Sequence, residues 1–247
     1  MRRIPLLPIL ATVLLASAAG AHAQARPGLK PLDDAELSAT WGQALLELSN
    51  TTQDGHDFSR ITLNADITMS SSLKGLVLGS KADGSSDINI GTLNFGRSDS
   101  TEAARTVAIT NPYFEWVYSG TDVVGMRFGF NGIAGDVGLL MNTVSGSLSV
   151  TTASNDTVRG TGSQLTSLNG NAGSVALNAI GGVTAGNTDG ASRDFFLSVL
   201  KSAVTWTNVG GLTPATAQAG FWLDWTDRLA ALNTTGTVPP NIPKVGP

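Results

Sequence analysis

The sequence predicts an all-β protein, built as an elongated β-solenoid or β-roll or as an antiparallel β-sandwich. One short N-terminal helix and a short C-terminal amphipathic helix complete the expected fold. Three observations lead there. Many short segments alternate apolar and polar residues with period two, the mark of a half-buried strand. Turn residues separate them at about 8–12-residue intervals. Glycine is abundant (29 of 247 residues) and charge is scarce at 14%, against roughly 25% in an average soluble domain.

Residues 1–23 read as a secretory signal peptide. Arg2 and Arg3 form a positive start, Ile4 to Ala19 is apolar, and Ala21-His22-Ala23 offers small residues at a cleavage site. The apolar run is shorter than the ~20 residues a spanning helix needs. A leader follows over 24–42. Asp33 and Glu36 have capping-box spacing, and Leu37, Trp41 and Leu45 recur at spacing four, which predicts a helix over 34–41.

A single β-rich domain is expected over 43–236. Ile61, Leu63, Ala65, Ile67 and Met69 alternate with polar residues. Leu76 with Leu78, Ile88 with Ile90, and Val107 with Ile109 repeat the pattern, as do Phe114, Trp116 and Tyr118. Met126, Phe128 and Phe130 share one face; Val137, Leu139 and Met141, then Leu148 and Val150, then Val175, Leu177 and Ala179 follow. Turns are expected at 79–84, Ser119-Gly120, Asn131-Gly132 and 169–171. Glycine-rich, charge-poor turns suit a solenoid, although no fixed repeat period is present.

Residues 181–194 read as a long exposed loop, and Phe195–Trp206 as strand or helix. Trp222, Trp225, Leu229 and Leu232 at spacing 3, 4, 3 predict the C-terminal helix. Residues 237–247 form a proline-rich tail, extended or disordered.

Composition narrows the chemistry. With no cysteine the chain has no disulfide, thiolate metal site or cysteine nucleophile, and a net charge of -4 argues against nucleic acid as a partner. Loss of residues 1–23 would leave His56 as the sole histidine. The densest polar cluster, Asp54-Gly55-His56-Asp57-Phe58-Ser59, has the residue types of a hydrolase but reads better as a turn before a strand. No Gly-x-Ser-x-Gly elbow or phosphate-cradling loop is present. Asp83–Asp87 and Asn187–Gly190 place oxygen ligands near glycine turns, without the spacing of a calcium loop. No catalytic, cofactor-binding or metal-ligating residue is therefore nominated, and no cofactor is expected. Trp222, Trp225 and Phe221 have the chemistry to meet a membrane interface or a partner, but a Trp face at this spacing suits core packing better.

Leu32-Asp33-Asp34-Ala35-Glu36-Leu37-Ser38 with Gly42-Gln43 forms one motif. Thr110–Trp116 followed by Val123–Gly129 forms another. Together they resemble a group of exported Gram-negative proteins that carry a signal peptide, a Leu-Asp-Asp…Leu-Ser…Gly-Gln leader and a Gly/Ser/Thr-rich β region. Some of these are described as related to pili or surface fibres. The resemblance covers about residues 30–150; it implies location and architecture, and it transfers no functional residue.

The expectation is a non-enzymatic structural, adhesive or interaction protein of the cell envelope, located in the periplasm, at the outer-membrane surface or outside the cell. It would self-associate or bind other surface proteins, with peripheral membrane contact allowed and no transmembrane helix in the mature chain. One alternative is an outer-membrane-associated β protein or small β-barrel. Another is a periplasmic glycan- or small-ligand-binding protein in which several of Asp66, Asp122, Trp116 and Tyr118 converge.

Overall fold

The computed structural model describes residues 45–168, 173–193, 195–206 and 216–242. The signal segment, the leader helix and the turn at 169–171 lie outside the described residues. Inside them the chain is all β. In order come β1 (Leu46–Gln53), β2 (His56–Leu63), β3 (Asp66–Met69), β4 (Ser71–Ser80), β5 (Ser86–Phe95) and β6 (Val107–Ser119). The 30-residue β7 (Asp122–Thr151) follows, then β8 (Thr157–Gly162), β9 (Gln164–Ser167), β10 (Ser174–Ala176) and β11 (Gly182–Ala185). Last are β12 (Phe195–Leu200), β13 (Val204–Thr205), β14 (Thr216–Ala217), β15 (Gly220–Trp225) and β16 (Leu229–Ala231). Fourteen strands belong to one sheet, and β13–β14 form a separate pair.

The organising element is β7. Its first half pairs with β6 and its middle with β5. Residues 125–130 also pair with β12, while 146–148 pair with β15, which is itself hydrogen-bonded to β12. In the same way β11 pairs with residues 135–138 and with β16, which meets Thr151. The strand therefore bends until its two halves flank the β12–β15 and β11–β16 pairs. Register shifts near Ile90–Thr92 and left-handed glycines at 135 and 146 take up the bend. Among the described residues the sheet stays open rather than closing as a barrel: β1 and β4 each have one strand neighbour.

Strand pairing in the described residues is antiparallel except for β15 and β16 against β7. That is the antiparallel alternative of the two architectures considered, and it differs from the parallel rung-on-rung stacking of a solenoid. Several local expectations also need correction. Trp222 and Trp225 sit on β15 and Leu229 on β16, not on a helix. Leu223 and Trp225 are buried and Trp222 half-buried, so both faces of β15 are covered. A strand apolar on both faces loses its period of two and imitates helical spacing. Residues 182–185 are a buried strand rather than part of an exposed loop, because β7 and β16 enclose them. Asn131-Gly132 is no turn: the chain runs straight through it inside β7, between β6 and Ser192. Val175 begins as strand, but Leu177–Ala179 is a 3-10 turn. The tail is extended and docked as far as Ile242: Asn94 Nδ2 donates to Pro239 O (2.8 Å) and Asn241 Nδ2 to Phe95 O (2.8 Å).

Two apolar cores lie on opposite faces of the β6–β7–β12 layer. The larger contains Ile88, Val107, Val137, Leu148, Val183 and Trp225. The smaller contains Phe58, Val117, Phe196, Leu200 and Trp206. Each fully buried side chain of this size contributes about 1.5–3 kcal/mol.

Candidate functional site

One transverse row of residues builds the first candidate. Register places Arg60 opposite Glu115, Glu115 opposite Arg127, and Arg127 opposite Ser198. Arg127 is fully buried and Glu115 is 2% exposed. Arg127 Nε donates to Glu115 Oε2 (2.5 Å) and Arg60 Nε to Glu115 Oε1 (2.9 Å). The Arg60 guanidinium stacks on Tyr113 at 4.1 Å, and that of Arg127 on Trp206 at 4.4 Å. Gly129 makes room: a Cβ there would lie 2.5 Å from both Phe195 O and the Tyr113 hydroxyl. Buried Asp224 lies on the same face, across Phe196 from Gly129. Glu115 is shared by the two guanidiniums, an internal partner for both, as in structural ion clusters.

The reverse face of the same strands carries the second candidate. Leu48, Ile61, Phe114, Phe128 and Leu197 follow one another across β1, β2, β6, β7 and β12. Leu48 is 76% exposed and Phe114 47%. Here the larger core runs out into a groove of about 550 Å³, walled by Leu46, Ile61, Leu63, Ile67, Phe114 and Phe128 among others. Aromatic rings carry the core outward: Trp225 touches Phe195, then Phe130, Phe128 and Phe114, with successive centroids 5.0–5.2 Å apart. Asn111, left-handed at φ 48°, lets Ile109 and Phe114 share this side despite their odd spacing.

The groove borders a free sheet edge. β1 pairs with β2 without a register break from Leu46↔Leu63 to Gln53↔His56, and among the described residues its other side has no strand. It lacks proline, lysine, glycine and bulge, the usual devices that blunt an edge. β4 differs: Lys74 and two left-handed glycines, Gly75 and Gly79, interrupt its edge.

The sequence-nominated residues are placed as follows. Asp54 and Gly55, both left-handed, form the two-residue β1–β2 turn. Asp57 accepts from Thr52 Oγ1 (2.7 Å) and Ser59 donates to Asn50 (2.8 Å), so neither is aligned with His56. Asp83 is held by Ser85, whereas Asp87 accepts from Lys81 and from Phe221 N (3.0 Å). Burial would raise Asp87, but those two donors hold its carboxyl below the ordinary value. Among the described residues no three His, Cys, Asp or Glu side chains cluster as metal ligands. Trp116 and Tyr118 share a face near Asp122, whereas Asp66 pairs with Thr110 far along β6. The ion network joins β2 to the two segments of the second resemblance motif, whose partners Glu115 and Arg127 fall opposite each other in the β6–β7 hairpin. Sequence reading missed it; the one available signal was a lone acid and a lone base inside otherwise apolar strands. Among the described residues no helix is long and apolar enough to cross a membrane.

Comparison with family models, with curated proteins and with solved structures found no match.

Proposed function

We propose that this chain is a non-enzymatic, exported structural or interaction protein of the bacterial cell envelope that self-associates through β1. The carrying observation is the eight-residue edge of β1, unpaired by any strand among the described residues and continuous with the apolar groove. A second copy supplies the matching chemistry: an isologous contact uses the same patch twice. Antiparallel pairing of two β1 strands would satisfy both rows of open backbone groups and set Leu46 and Leu48 of each copy beside those of the other. The export signal read in residues 1–23 and the resemblance to surface-fibre-related proteins support the location. The antiparallel sandwich alternative supports the same reading, since a layered sheet leaves edges where a closed barrel would not.

Sedimentation of the mature chain across micromolar concentrations tests this. The expected result is reversible dimerisation. Leu48→Lys should abolish it, and Leu73→Lys on the already blunted β4 edge should not. A chain that stays monomeric at high concentration, or that assembles equally well with Leu48→Lys, would overturn the proposal. Monomers that partition into carbonate-washed membranes would transfer the apolar face to the outer-membrane-associated reading.

A further inference from the structure

A second depression, of about 260 Å³, lies where β8, the far end of β7 and the β15–β16 connection meet. Its polar wall is Ser149, Thr151, Thr157, Asn187, Thr226 and Arg228. Four hydroxyls and an amide both donate and accept, which matches a polyol better than a simple ion. Leu229 and Ala230 add an apolar strip suited to the C–H face of a ring. The volume equals roughly nine waters at ~30 Å³ each, room for one pyranose ring.

Charge sets the class of ligand. Arg228 is held at φ 52°, a left-handed conformation rare for arginine and costly enough to be found mainly where it serves a purpose. Its Nη1 donates to Ala191 O (3.0 Å) and lies 3.7 Å from Asp227 Oδ2. Arg193 already engages Asp227 through its backbone N–H (3.0 Å) and its guanidinium (3.0 and 3.2 Å). Across from Ser149, Arg159 is exposed on the same face as Thr157 and has no ion pair among the described residues. The other carboxylate close by, Asp189, is exposed in the adjoining turn. Arg228 thus lines the wall of hydroxyls and Arg159 stands opposite one of its members, Ser149, in a chain whose net charge is negative. Phosphate sites are usually built from convergent backbone N–H groups, unlike this wall.

We infer that this depression binds a carboxylated sugar unit, with Arg228 and Arg159 facing the carboxylate and the hydroxyl wall facing the ring. The inference is independent of the β1 edge. NMR titration of the mature chain with galacturonate, galactose and inorganic phosphate tests it. Galacturonate should bind in the ~millimolar range, with galactose and phosphate each about tenfold weaker or more. Arg228→Gly removes the guanidinium while relaxing the backbone, so it should weaken galacturonate about tenfold at unchanged or higher Tm. Thr157→Val gives an independent reading and should weaken galacturonate several-fold. Absence of galacturonate binding, phosphate binding as tightly as galacturonate, or wild-type binding by both variants would overturn the inference.

Discussion

The two faces of the β2–β6–β7–β12 layer invert the usual arrangement. The face that carries Arg60, Glu115 and Arg127 is buried, and the face that carries Leu48, Ile61 and Phe114 is open. Burial here follows what covers a face, not how polar it is. Trp206 and Phe196 roof the charged side, while the apolar side loses its cover beyond Phe130. Bonds from both guanidiniums to Glu115, with stacking on Tyr113 and Trp206, offset the cost of the first arrangement. The second leaves apolar side chains exposed, Leu48 and Phe114 among them.

The sharpest way to break this comparison is to unbalance the charged face. Glu115→Ala leaves Arg127 buried without that carboxylate, and should lower the unfolding free energy by about 3–5 kcal/mol in chemical denaturation. Replacing the pair together, Glu115→Leu with Arg127→Met, should recover most of that loss. Gly129→Ala tests the packing under the network: the new methyl collides with Phe195 O and Tyr113, and a loss of about 1–3 kcal/mol is expected.

Acid sharpens the comparison by asking whether ion pairs outside the roofed face matter too. Burial would raise Asp227, but the hydrogen bonds and charge of Arg193 and the charge of Arg228 hold its carboxyl below the ordinary value. A depressed folded-state pKa means the unfolded chain takes up the proton first. The stabilisation is therefore complete above about pH 4, the ordinary aspartate value, and is lost as pH falls through the lower folded-state value. Tm should decline below that point, and Asp227→Asn should flatten the decline. At the small end, Leu48→Lys on the open face should change stability by no more than about 0.5 kcal/mol while removing self-association. A large loss of stability would mean that this face is already covered.

The sequence made the strands legible wherever one face was wet. Ile61, Leu63, Ile67 and Met69 keep a common face through the break between β2 and β3, and all four line the groove. It was misleading where both faces were dry, as at Trp222–Trp225, or where a turn-like pair such as Asn131-Gly132 was locked between neighbours. The candidate sites were less legible. The groove needs six strands, β1, β2, β3, β5, β6 and β7, and the charged row needs the register of β2, β6 and β7, which no local pattern encodes.

The bent course of β7 has a consequence for how the chain acquires its fold. Its partners are made both before it and after it, and β15 and β16 insert between its halves. A chain emerging from its N-terminus can assemble β1 to β7 early. It cannot fill the space beside β12 until residues 220–225 are available, nor that beside β11 until 229–231 are. Closure at the end of synthesis is then expected as the slow step, since distant segments must meet before their contacts repay the lost chain entropy. Truncation ahead of Gly220 would leave both inner edges of β7 short of their last neighbours.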